Sequence, residues 1–340
     1  MFNVAILGAS GYTGVELVRL ISMHPEFKIH SLSGETKSGL KFGEVYPSLQ
    51  YLNLPNLCYV SDINYDDLDL IFCALPHTKS APIINKLPRN IKIIDLSADF
   101  RLNTDSLYKK WYGVDHPCPD LLSKFIYGLT EFYRTDIKNS DYVACTGCNS
   151  ATGLYPIIPL VSEGIIEFDD IIINLATGVS GAGRKANEFI IHSEVSEGFS
   201  PYNVKSHRHL AEFDQELLKF SGKKIRVIFT PHLLPKNRGI LATIYVKGDL
   251  KKIYNTLYMR YENEPFINIM PMNSILSTKH VRGSNYCNIS VCESSKPGTV
   301  IVLSILDNLI KGSSGQAIQN ANLMFDLDET LGLTSPPIYP

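Results

Sequence analysis

The start of the chain combines a short apolar run, a glycine-rich turn and a helix. Asn3-Val-Ala-Ile-Leu-Gly8 has the length and composition of a buried parallel strand, and an amphipathic segment runs from about Thr13 to Met23. Between them the glycines have the spacing Gly-x-x-Gly-x-x-Gly rather than the usual Gly-x-Gly-x-x-Gly. A strand, a glycine turn and a helix in this order hold a phosphate over the helix N-terminus. The order therefore predicts a dinucleotide site formed by Gly8, Ser10, Gly11, Tyr12, Thr13 and Gly14.

The second predicted strand, about Phe27 to Leu32, leads to the expected position of the adenosine ribose. It ends at Ser33-Gly-Glu-Thr-Lys37. Glu35 would accept a hydrogen bond from a free 2′-hydroxyl, which favours NAD. The side chains of Ser33, Thr36 and Lys37 would hold a 2′-phosphate, which favours NADP. These residues alone leave both cofactors open.

Two further strands, Asp69–Leu75 and Ile91–Leu96, continue the alternation of strands and helices up to residue 148. This alternation predicts a doubly wound parallel sheet. The carboxyl ends of its strands border the ligand cleft, so Pro76 is predicted to line the cofactor site. Arg101 follows the later strand and either pairs with Asp99 or binds substrate.

Cys148 lies in the segment Tyr142–Gly153, which reads as a strand end, a tight turn and the start of a helix at about Ser150. A thiol just before a helix N-terminus feels the positive end of the macrodipole and unpaired N–H groups, and both favour the thiolate. The same N–H groups would hold a developing oxyanion. A lone cysteine is more often a small buried hydrophobe. The rest of the chain favours the nucleophile.

Beyond this helix the pattern changes to that of an α+β domain with a mixed, largely antiparallel sheet and helices on one face. Strands are predicted at 170–175, 224–229, 240–246, 285–291 and 299–306, and helices at 211–220 and 250–261. The last segment, Gly312–Met324, is predicted to be an amphipathic helix that packs on the first domain, with Gln316 and Asn320 reaching the nicotinamide. The predicted domains are residues 1–148 with about 313–340, and residues 149–312.

Two polar clusters stand out in the second domain. Thr177–Lys185 is a glycine-rich loop in which Ser180 and Arg184 offer a hydroxyl and a charge to a phosphate or carboxylate, and Gly181 is assigned to the cofactor. The other cluster is Ser206-His-Arg-His209, with Glu212 three residues later. No further Cys or His spacing completes a metal site, so no metal is expected. Acid–base catalysis by His207 or His209 is the better interpretation.

The composition of the chain limits which binding partners and which cellular compartment can be expected. The chain has 340 residues, 44% of them hydrophobic, and a net charge of −2 without long runs of one sign. This argues against nucleic acid or an anionic membrane as a partner, and no apolar run approaches the ~18 residues of a membrane span. The seven cysteines are irregularly spaced and no secretory signal is recognisable, so a cytoplasmic protein with free thiols is expected.

Taken together, these motifs resemble the N-acetyl-γ-glutamyl-phosphate reductase family of arginine biosynthesis. The chain is similar also to the related archaeal reductases of lysine biosynthesis, whose substrates are linked to the carrier protein LysW. The resemblance covers nearly the whole chain and rests on Gly8–Gly14, Ala74–His77, Asp95–Arg101, Gly147-Cys148, Ser180–Arg184, His207–His209, Phe229–Pro235, Gly283–Cys287 and Gly315–Asn320.

The resemblance implies an NADP-binding Rossmann domain and an α+β domain that makes dimer or tetramer contacts, as in aspartate-semialdehyde dehydrogenases. It implies that Cys148 attacks an acyl phosphate, that NADPH reduces the resulting thioester to the semialdehyde, and that His207 or His209 moves the protons. Arg101, Arg184 and Arg208 are candidates for binding the phosphate or carboxylate of the substrate.

The sequence leaves the substrate and, in part, the class of function open. Asn149 after Gly-Cys resembles the lysine-type enzymes, whereas the Ser-Gly-Ala-Gly-Arg loop resembles the arginine branch, so free and LysW-linked substrates are both possible. The motifs are also compatible with an aspartate-semialdehyde type of dehydrogenase, with a non-catalytic NADP sensor, and with a thiol redox protein that uses Cys145-x-x-Cys148.

Overall fold

The computed structural model describes residues 1–339 and contains two compact units. The first consists of Met1–Thr146 and Ser313–Thr334, and the second of Gly147–Gly312 and the segment that begins at Ser335. These units differ from the predicted division in two places. Gly147 and Cys148 belong to the second unit, and so does the chain after Thr334.

The first unit contains a seven-stranded sheet in which every neighbouring pair is parallel. The spatial order is β3-β2-β1-β4-β5-β7-β6. Its strands are β1 Phe2–Leu7, β2 Phe27–Ser33, β3 Leu57–Cys58, β4 Leu70–Cys73, β5 Lys92–Asp95, β6 Ile126–Tyr127 and β7 Tyr142–Ala144. Its helices before residue 146 are α1 Tyr12–Ile21, α2 Phe42–Val45, α3 Ser80–Ile84, α4 Asp105–Tyr112 and α5 Thr130–Lys138. The predicted doubly wound parallel sheet is confirmed.

The central strands of this sheet are buried along most of their length. In β4 all four residues are inaccessible to solvent, and β1 is buried from Val4 onward. A parallel strand that is covered on both faces reads as a continuous apolar run, which is why these strands were visible in the sequence. Ala5, Ile71 and Ile93, on three neighbouring strands, belong to one core cluster.

The second unit contains a mixed seven-stranded sheet, in the order β12-β13-β14-β11-β8-β10-β9. Only the β8–β10 and β12–β13 pairs of this described sheet are parallel. The strands are β8 Ile172–Gly178, β9 Ser200–Pro201, β10 Ile228–Leu234, β11 Ile240–Lys247, β12 Ile267–Ile269, β13 Cys287–Glu293 and β14 Thr299–Leu306. The helices are α6 Cys148–Ser162, α7 His192–Val195, α8 His209–Ser221 and α9 Leu250–Tyr261. The predicted mixed, largely antiparallel sheet is confirmed.

One predicted strand of this sheet is wrong over most of its length. The residues from Lys224 to Val227 precede the strand, which begins at Ile228 and continues through Pro231 to Leu234. Proline argues against a central strand because it cannot donate to the ladder. It is tolerated here because the short strand β9 pairs only with His232 and Leu233 on that side of β10.

Strands β8, β11 and β14 have different environments on their two faces. Ile173, Ile244 and Val302 point into the core, where α6 packs against all three strands. The opposite face is only half-buried. On this face Ile172, Tyr245 and Ile301 form an apolar row across the three strands, whereas Leu241 and Leu303 pack against the cluster of Leu276, Val281 and Ile305. Tyr245 lies directly opposite Ile301 on the neighbouring strand.

The last helix is α10, Gly315–Met324, and it follows a short π-helix at Ile310–Ser314. The prediction that this segment is amphipathic is wrong, because all ten residues of α10 are buried. Its polar side chains have internal partners in the first unit. Gln319 donates to Glu131 and Glu329, and Asn322 donates to the carbonyl of Leu331. Hydrogen bonding removes most of the cost of burying such groups.

Candidate active site

Cys148 is the first residue of α6, two residues earlier than the predicted helix start. Gly147 is the N-cap, with an extended backbone at φ −69° and ψ 141°. Cys148 is half-buried, and the first N–H groups of a helix have no intrahelical acceptor. Cys148 therefore sits at the positive end of the 15-residue helix, a position that in general favours the nucleophilic form of a cysteine.

Gly147 connects the start of α6 to the start of α8. Its N–H donates to Oε2 of the buried Glu212, at 2.8 Å. The other carboxylate oxygen, Oε1, lies 3.8 Å from Nε2 of His209. A Cβ atom on residue 147 would come within 2.4 Å of that nitrogen and 2.6 Å of Glu212 Oε1. Any side chain at position 147 would displace the His209 ring or the Glu212 carboxylate, so glycine allows the His209 imidazole to lie next to the residue that precedes Cys148.

The two predicted histidines have different environments. His207 is buried, and its ring packs edge-on against the rings of Tyr202, His209 and Phe229. Burial lowers the pKa of His207 to about 3, and the neighbouring His209 contributes to this shift. Nδ1 of His207 accepts a hydrogen bond from the His209 backbone N–H at 3.1 Å. His207 is therefore neutral, whereas His209 is half-buried and lies beside a carboxylate.

Two residues of this cluster were not among the predicted catalytic residues. The Asn149 side chain lies between the Cys148 sulfur, at 3.7 Å, and the Tyr202 hydroxyl, at 3.2 Å. Burial raises the pKa of Tyr202 to about 12, with a smaller contribution from Cys148. Asn149 is adjacent to Cys148 in the sequence, which was a usable indication. Tyr202 lies 53 residues from Asn149, in a largely exposed segment without any motif.

Gly312 packs directly against Cys148. A Cβ atom on Gly312 would lie 2.8 Å from the Cβ of Cys148, closer than real side chains approach. Any larger residue at position 312 would displace the thiol.

The glycine-rich loop of the second unit is only partly available for binding. Val179–Ala182 forms a short 3-10 helix. The Ser180 hydroxyl donates to the carbonyl of Asn237 at 2.5 Å and accepts from Asn308 at 2.9 Å, so it holds the loop together. Gly181 and Arg184 are exposed, as is Arg208 at the N-cap of α8.

The predicted nucleotide turn in the first unit has the required close packing. Gly8 has φ +82°, and a Cβ there would lie 2.4 Å from the carbonyl oxygen of Ala74. A Cβ on Gly14 would lie 2.4 Å from the Gly8 carbonyl oxygen. Gly11 caps α1 without a side-chain hydrogen bond, which leaves the helix N-terminus open to an anion. Tyr46, which the sequence did not indicate, donates to the carbonyl of Ser10 at 2.8 Å.

The residues predicted around the adenosine ribose separate into two groups. Ser33 is buried, and its hydroxyl accepts from the Gly8 N–H at 3.0 Å, so it supports the turn. Thr36 and Lys37 are on the 3-10 helix Glu35–Lys37, none of whose residues is buried. Glu35 accepts from the backbone N–H of Val60 at 3.3 Å. Pro76 follows the end of β4 and is accessible to solvent.

Three other predicted binding residues are buried within the first unit. Arg101 donates to the carbonyls of Cys145, at 2.7 Å, and Leu96, at 3.1 Å. Gln316 accepts from the backbone and hydroxyl of Thr146. The Asn320 amide accepts from Thr130 and donates to the carbonyl of Gly128. These side chains hold the ends of strands and helices in this unit, and their roles toward a ligand stay predictions.

Cys145 is unlike Cys148. It is 1% exposed, and burial raises the pKa of its thiol to about 12. A thiol with these properties is a poor nucleophile at neutral pH, which weakens the redox interpretation of Cys145-x-x-Cys148.

Neither a metal cluster nor a membrane-spanning helix was found in the part of the chain that the structure describes. Residues 1–339 contain no group of three or more His, Cys, Asp or Glu side chains that could hold a metal ion. No helix in the same range is long and apolar enough to cross a membrane.

Comparison with protein families assigns both halves of the chain. Residues 3–140 match the profile of the semialdehyde dehydrogenase NAD binding domain, and residues 148–308 match that of the semialdehyde dehydrogenase dimerisation domain. Among solved structures, the aspartate semialdehyde dehydrogenase II of Vibrio cholerae has a TM-score of 0.70 at 16% identity, covering 96% of this chain and 98% of that one. The Candida albicans enzyme, solved with NADP, has a TM-score of 0.68 at 15% identity, with 96% and 98% covered. These two likenesses show the fold.

Sequence relatives are much closer. The N-acetyl-γ-glutamyl-phosphate reductase of Cereibacter sphaeroides is 53% identical over 339 residues, 99% of each chain. The enzymes of the same name from Rhodobacter capsulatus and Roseobacter denitrificans are 52% and 51% identical, covering 99% and 100% of this chain and 99% of each relative. With this identity over its whole length, and with both semialdehyde dehydrogenase domains in place, the chain belongs to the N-acetyl-γ-glutamyl-phosphate reductase family.

Proposed function

We propose that this protein is an NADPH-dependent reductase that converts N-acetyl-γ-glutamyl phosphate into the semialdehyde and phosphate. The observation that carries the proposal is the position of Cys148, a half-buried thiol at the N-terminus of α6, where the N-cap residue Gly147 lies against His209 and Glu212. The names of the full-length relatives support the substrate and the place in arginine biosynthesis. None of the seven cysteines forms a disulfide, which suits the reducing cytoplasm expected from the sequence.

The covalent step uses Cys148. Its thiolate attacks the acyl carbon, a carbon–sulfur bond forms, and the bond to the phosphate oxygen breaks, so that phosphate leaves with the electron pair. Bound NADPH supplies the hydride that reduces the acyl carbon of the thioester. His209 protonates the resulting oxygen and removes the proton again when the thiolate leaves and the semialdehyde is released. Glu212, with its Oε1 3.8 Å from His209 Nε2, orients the imidazole.

His209 rather than His207 is proposed as the proton carrier because of their surroundings. A group that exchanges protons near neutral pH must be able to hold a charge. Burial opposes this at His207, whose pKa is about 3 and whose Nδ1 is occupied by the His209 backbone. His209 has the carboxylate of Glu212 beside it.

The residues of the first unit fit a dinucleotide. Gly8 and Gly14 bring the turn close to α1, and the uncapped helix N-terminus would hold the pyrophosphate. Lys37 and Thr36 are accessible to a 2′-phosphate, whereas Glu35 already accepts from the Val60 backbone. This arrangement favours NADP over NAD.

The substrate proposed first is the free N-acetylated acyl phosphate, because the 51–53% identical relatives carry that name. The LysW-linked glutamyl and 2-aminoadipyl phosphates of lysine biosynthesis are placed second, on the strength of Asn149 following Gly-Cys. Assays with N-acetylglutamyl phosphate and with each LysW-linked substrate separate them. If the protein reduces none of these substrates, the remaining interpretation is a non-catalytic NADP sensor.

The second unit is proposed to form a homodimer through the half-buried face of β8, β11 and β14. Its paired residues Ile172, Tyr245 and Ile301 form a half-buried apolar row across the three strands, and apolar side chains of this kind are typical of the core of subunit interfaces. The match of residues 148–308 to a dimerisation domain supports a second copy of the chain as the partner.

Replacing Cys148 with serine tests the covalent mechanism. Cys148→Ser is expected to lower turnover by about 10³-fold or more, because a hydroxyl is almost never ionised at neutral pH. Melting temperature and NADPH binding, followed by fluorescence titration, should stay at wild-type values. Cys58→Ser, at the other half-buried cysteine, is the control and should stay active. A folded Cys148→Ser protein that reduces the acyl phosphate at the wild-type rate would exclude the thioester.

The histidine assignment predicts that two alanine variants differ. His209→Ala should lower kcat by about 10²–10⁴-fold, the usual contribution of a general acid–base group. His207→Ala should cause a smaller loss of kcat together with a lower melting temperature, because a buried ring is removed from its contact with Phe229. Steady-state kinetics and thermal unfolding measure both. A larger loss of kcat in His207→Ala would transfer the acid–base role to His207.

The cofactor assignment predicts a selective effect at Lys37. Lys37→Ala should raise the KM for NADPH by about tenfold and leave the KM for NADH nearly unchanged, because only NADPH carries the 2′-phosphate. Lys41→Ala, at another exposed lysine nearby in the sequence, serves as the control. Equal effects on the two cofactors would remove Lys37 from the 2′-phosphate site.

The interface assignment predicts that a charge on the sheet face prevents dimerisation. Ile301→Asp would bury an unpaired carboxylate in the interface, so the variant should sediment as a monomer. Met259→Asp changes another apolar residue, 72% exposed on α9, and should keep the wild-type mass. If Ile301→Asp also keeps that mass while remaining folded, the subunits meet elsewhere.

A further inference from the structure

Asn149 lies at the centre of a small polar cluster next to the thiol. As placed in the structure, the carboxamide oxygen Oδ1 faces the Cys148 sulfur at 3.7 Å and accepts from the thiol, and the nitrogen Nδ2 is at the other end. The other end faces two groups, the Tyr202 hydroxyl at 3.2 Å and Nε2 of His207 at 3.4 Å. Asn149 itself is 2% exposed, so water hardly competes for these contacts.

The position of the proton on His207 follows from its other nitrogen. Nδ1 accepts the backbone N–H of His209, so Nδ1 carries no proton and the neutral ring has its proton on Nε2. The surroundings keep the ring neutral. Burial is the main cause that lowers the pKa of His207 to about 3, with His209 and Arg208 acting in the same direction and Glu212 opposing them. Nε2 is therefore a hydrogen-bond donor directed at Asn149.

Tyr202 is a second donor at the same end of the amide. With its pKa raised to about 12, its hydroxyl keeps the proton at neutral pH. The amide oxygen can accept hydrogen bonds from both donors. The amide nitrogen cannot accept, and in its place would put one N–H group against the Nε2–H of His207. The orientation of a carboxamide is set by its hydrogen-bond network, and a half-turn exchanges oxygen and nitrogen with little change in shape. The half-turn places the oxygen toward His207 and Tyr202.

We propose that Asn149 is a positioning residue for Cys148: His207 and Tyr202 hold its amide oxygen, and its amide N–H group donates to the Cys148 thiolate. The proposal rests on the proposed function and deepens it, because it assigns to Asn149 the stabilisation of the nucleophile. A donor directed at sulfur favours the charged form. An amide oxygen in the same place would accept from the thiol and favour the uncharged form, so the two orientations have opposite consequences.

The rate of Cys148 alkylation by iodoacetamide, measured as a function of pH, distinguishes these orientations. Asn149→Ala should slow alkylation by about tenfold at about pH 7, because a hydrogen bond to a charged group contributes roughly that factor. At about pH 10, where thiols are ionised without assistance, the variant and the wild type should react at the same rate. Peptide mapping by mass spectrometry identifies Cys148 among the seven cysteines.

A second variant keeps the test valid if alanine disturbs the packing of His207. Asn149→Asp keeps one acceptor oxygen toward His207 and Tyr202 and places the other carboxylate oxygen, which cannot donate, at the sulfur, so it should also slow alkylation near neutral pH. Asn268→Ala, at an exposed asparagine in the same unit, is the matched control and should follow the wild-type profile. Melting curves confirm that each variant is folded.

An unchanged pH profile in Asn149→Ala, or faster alkylation at neutral pH, would overturn the proposal. The faster reaction would show that the amide oxygen faces the thiol. The experiment requires neither acyl phosphate nor NADPH, so its outcome is independent of the reductase assay. A wild-type protein without reductase activity, but with the expected shift in Asn149→Ala, would refute the proposed function and leave the role of Asn149 standing.

Discussion

The hydrogen bond from the Gly147 N–H to the buried carboxylate of Glu212 is the contact on which the proposed site depends. It joins the N-termini of two helices, α6 and α8, which carry the thiol and His209. A buried carboxylate is costly unless it is paired. Glu212 meets a backbone donor on one side and lies near His209 on the other. Because position 147 has no side chain, both interactions fit within van der Waals limits.

The same contact distinguishes the two histidines. His209 begins α8 and lies against Gly147, with the carboxylate of Glu212 close by. His207 precedes the helix by two residues and turns inward among aromatic rings. Burial there removes the charge from His207 and leaves a neutral ring with one defined donor. Residues close in sequence therefore acquire opposite electrostatic properties from the elements packed around them.

The two sheets differ in how accurately their strands could be predicted from the sequence. In the first unit, buried parallel strands are continuous apolar runs, so β1, β4 and β5 were found with errors of one or two residues at their ends. In the second unit, β11 and β14 alternate between a core face and a half-buried face, and they were also found. The prediction of β10 was shifted toward the N-terminus, because Pro231 argued against a strand at its true position. Strand β12 has only three residues, too few to show a pattern. A local pattern predicts a strand only when the strand's own side chains are a continuous apolar run or alternate between apolar and polar residues.

The sequence by itself determined the fold class of both units and the glycine turn before α1, and it indicated Cys148 and the histidine pair as candidate site residues. Each of these depends on residue types at fixed local spacings. The tertiary structure decided which polar residues have internal partners. Arg101, Asn320 and Ser180 were candidates for ligand binding, yet each side chain makes hydrogen bonds within its own unit. It also brought Tyr202 to Asn149 across 53 residues. Burial and hydrogen-bond partners arise from segments distant in the chain, so no local spacing could have predicted them.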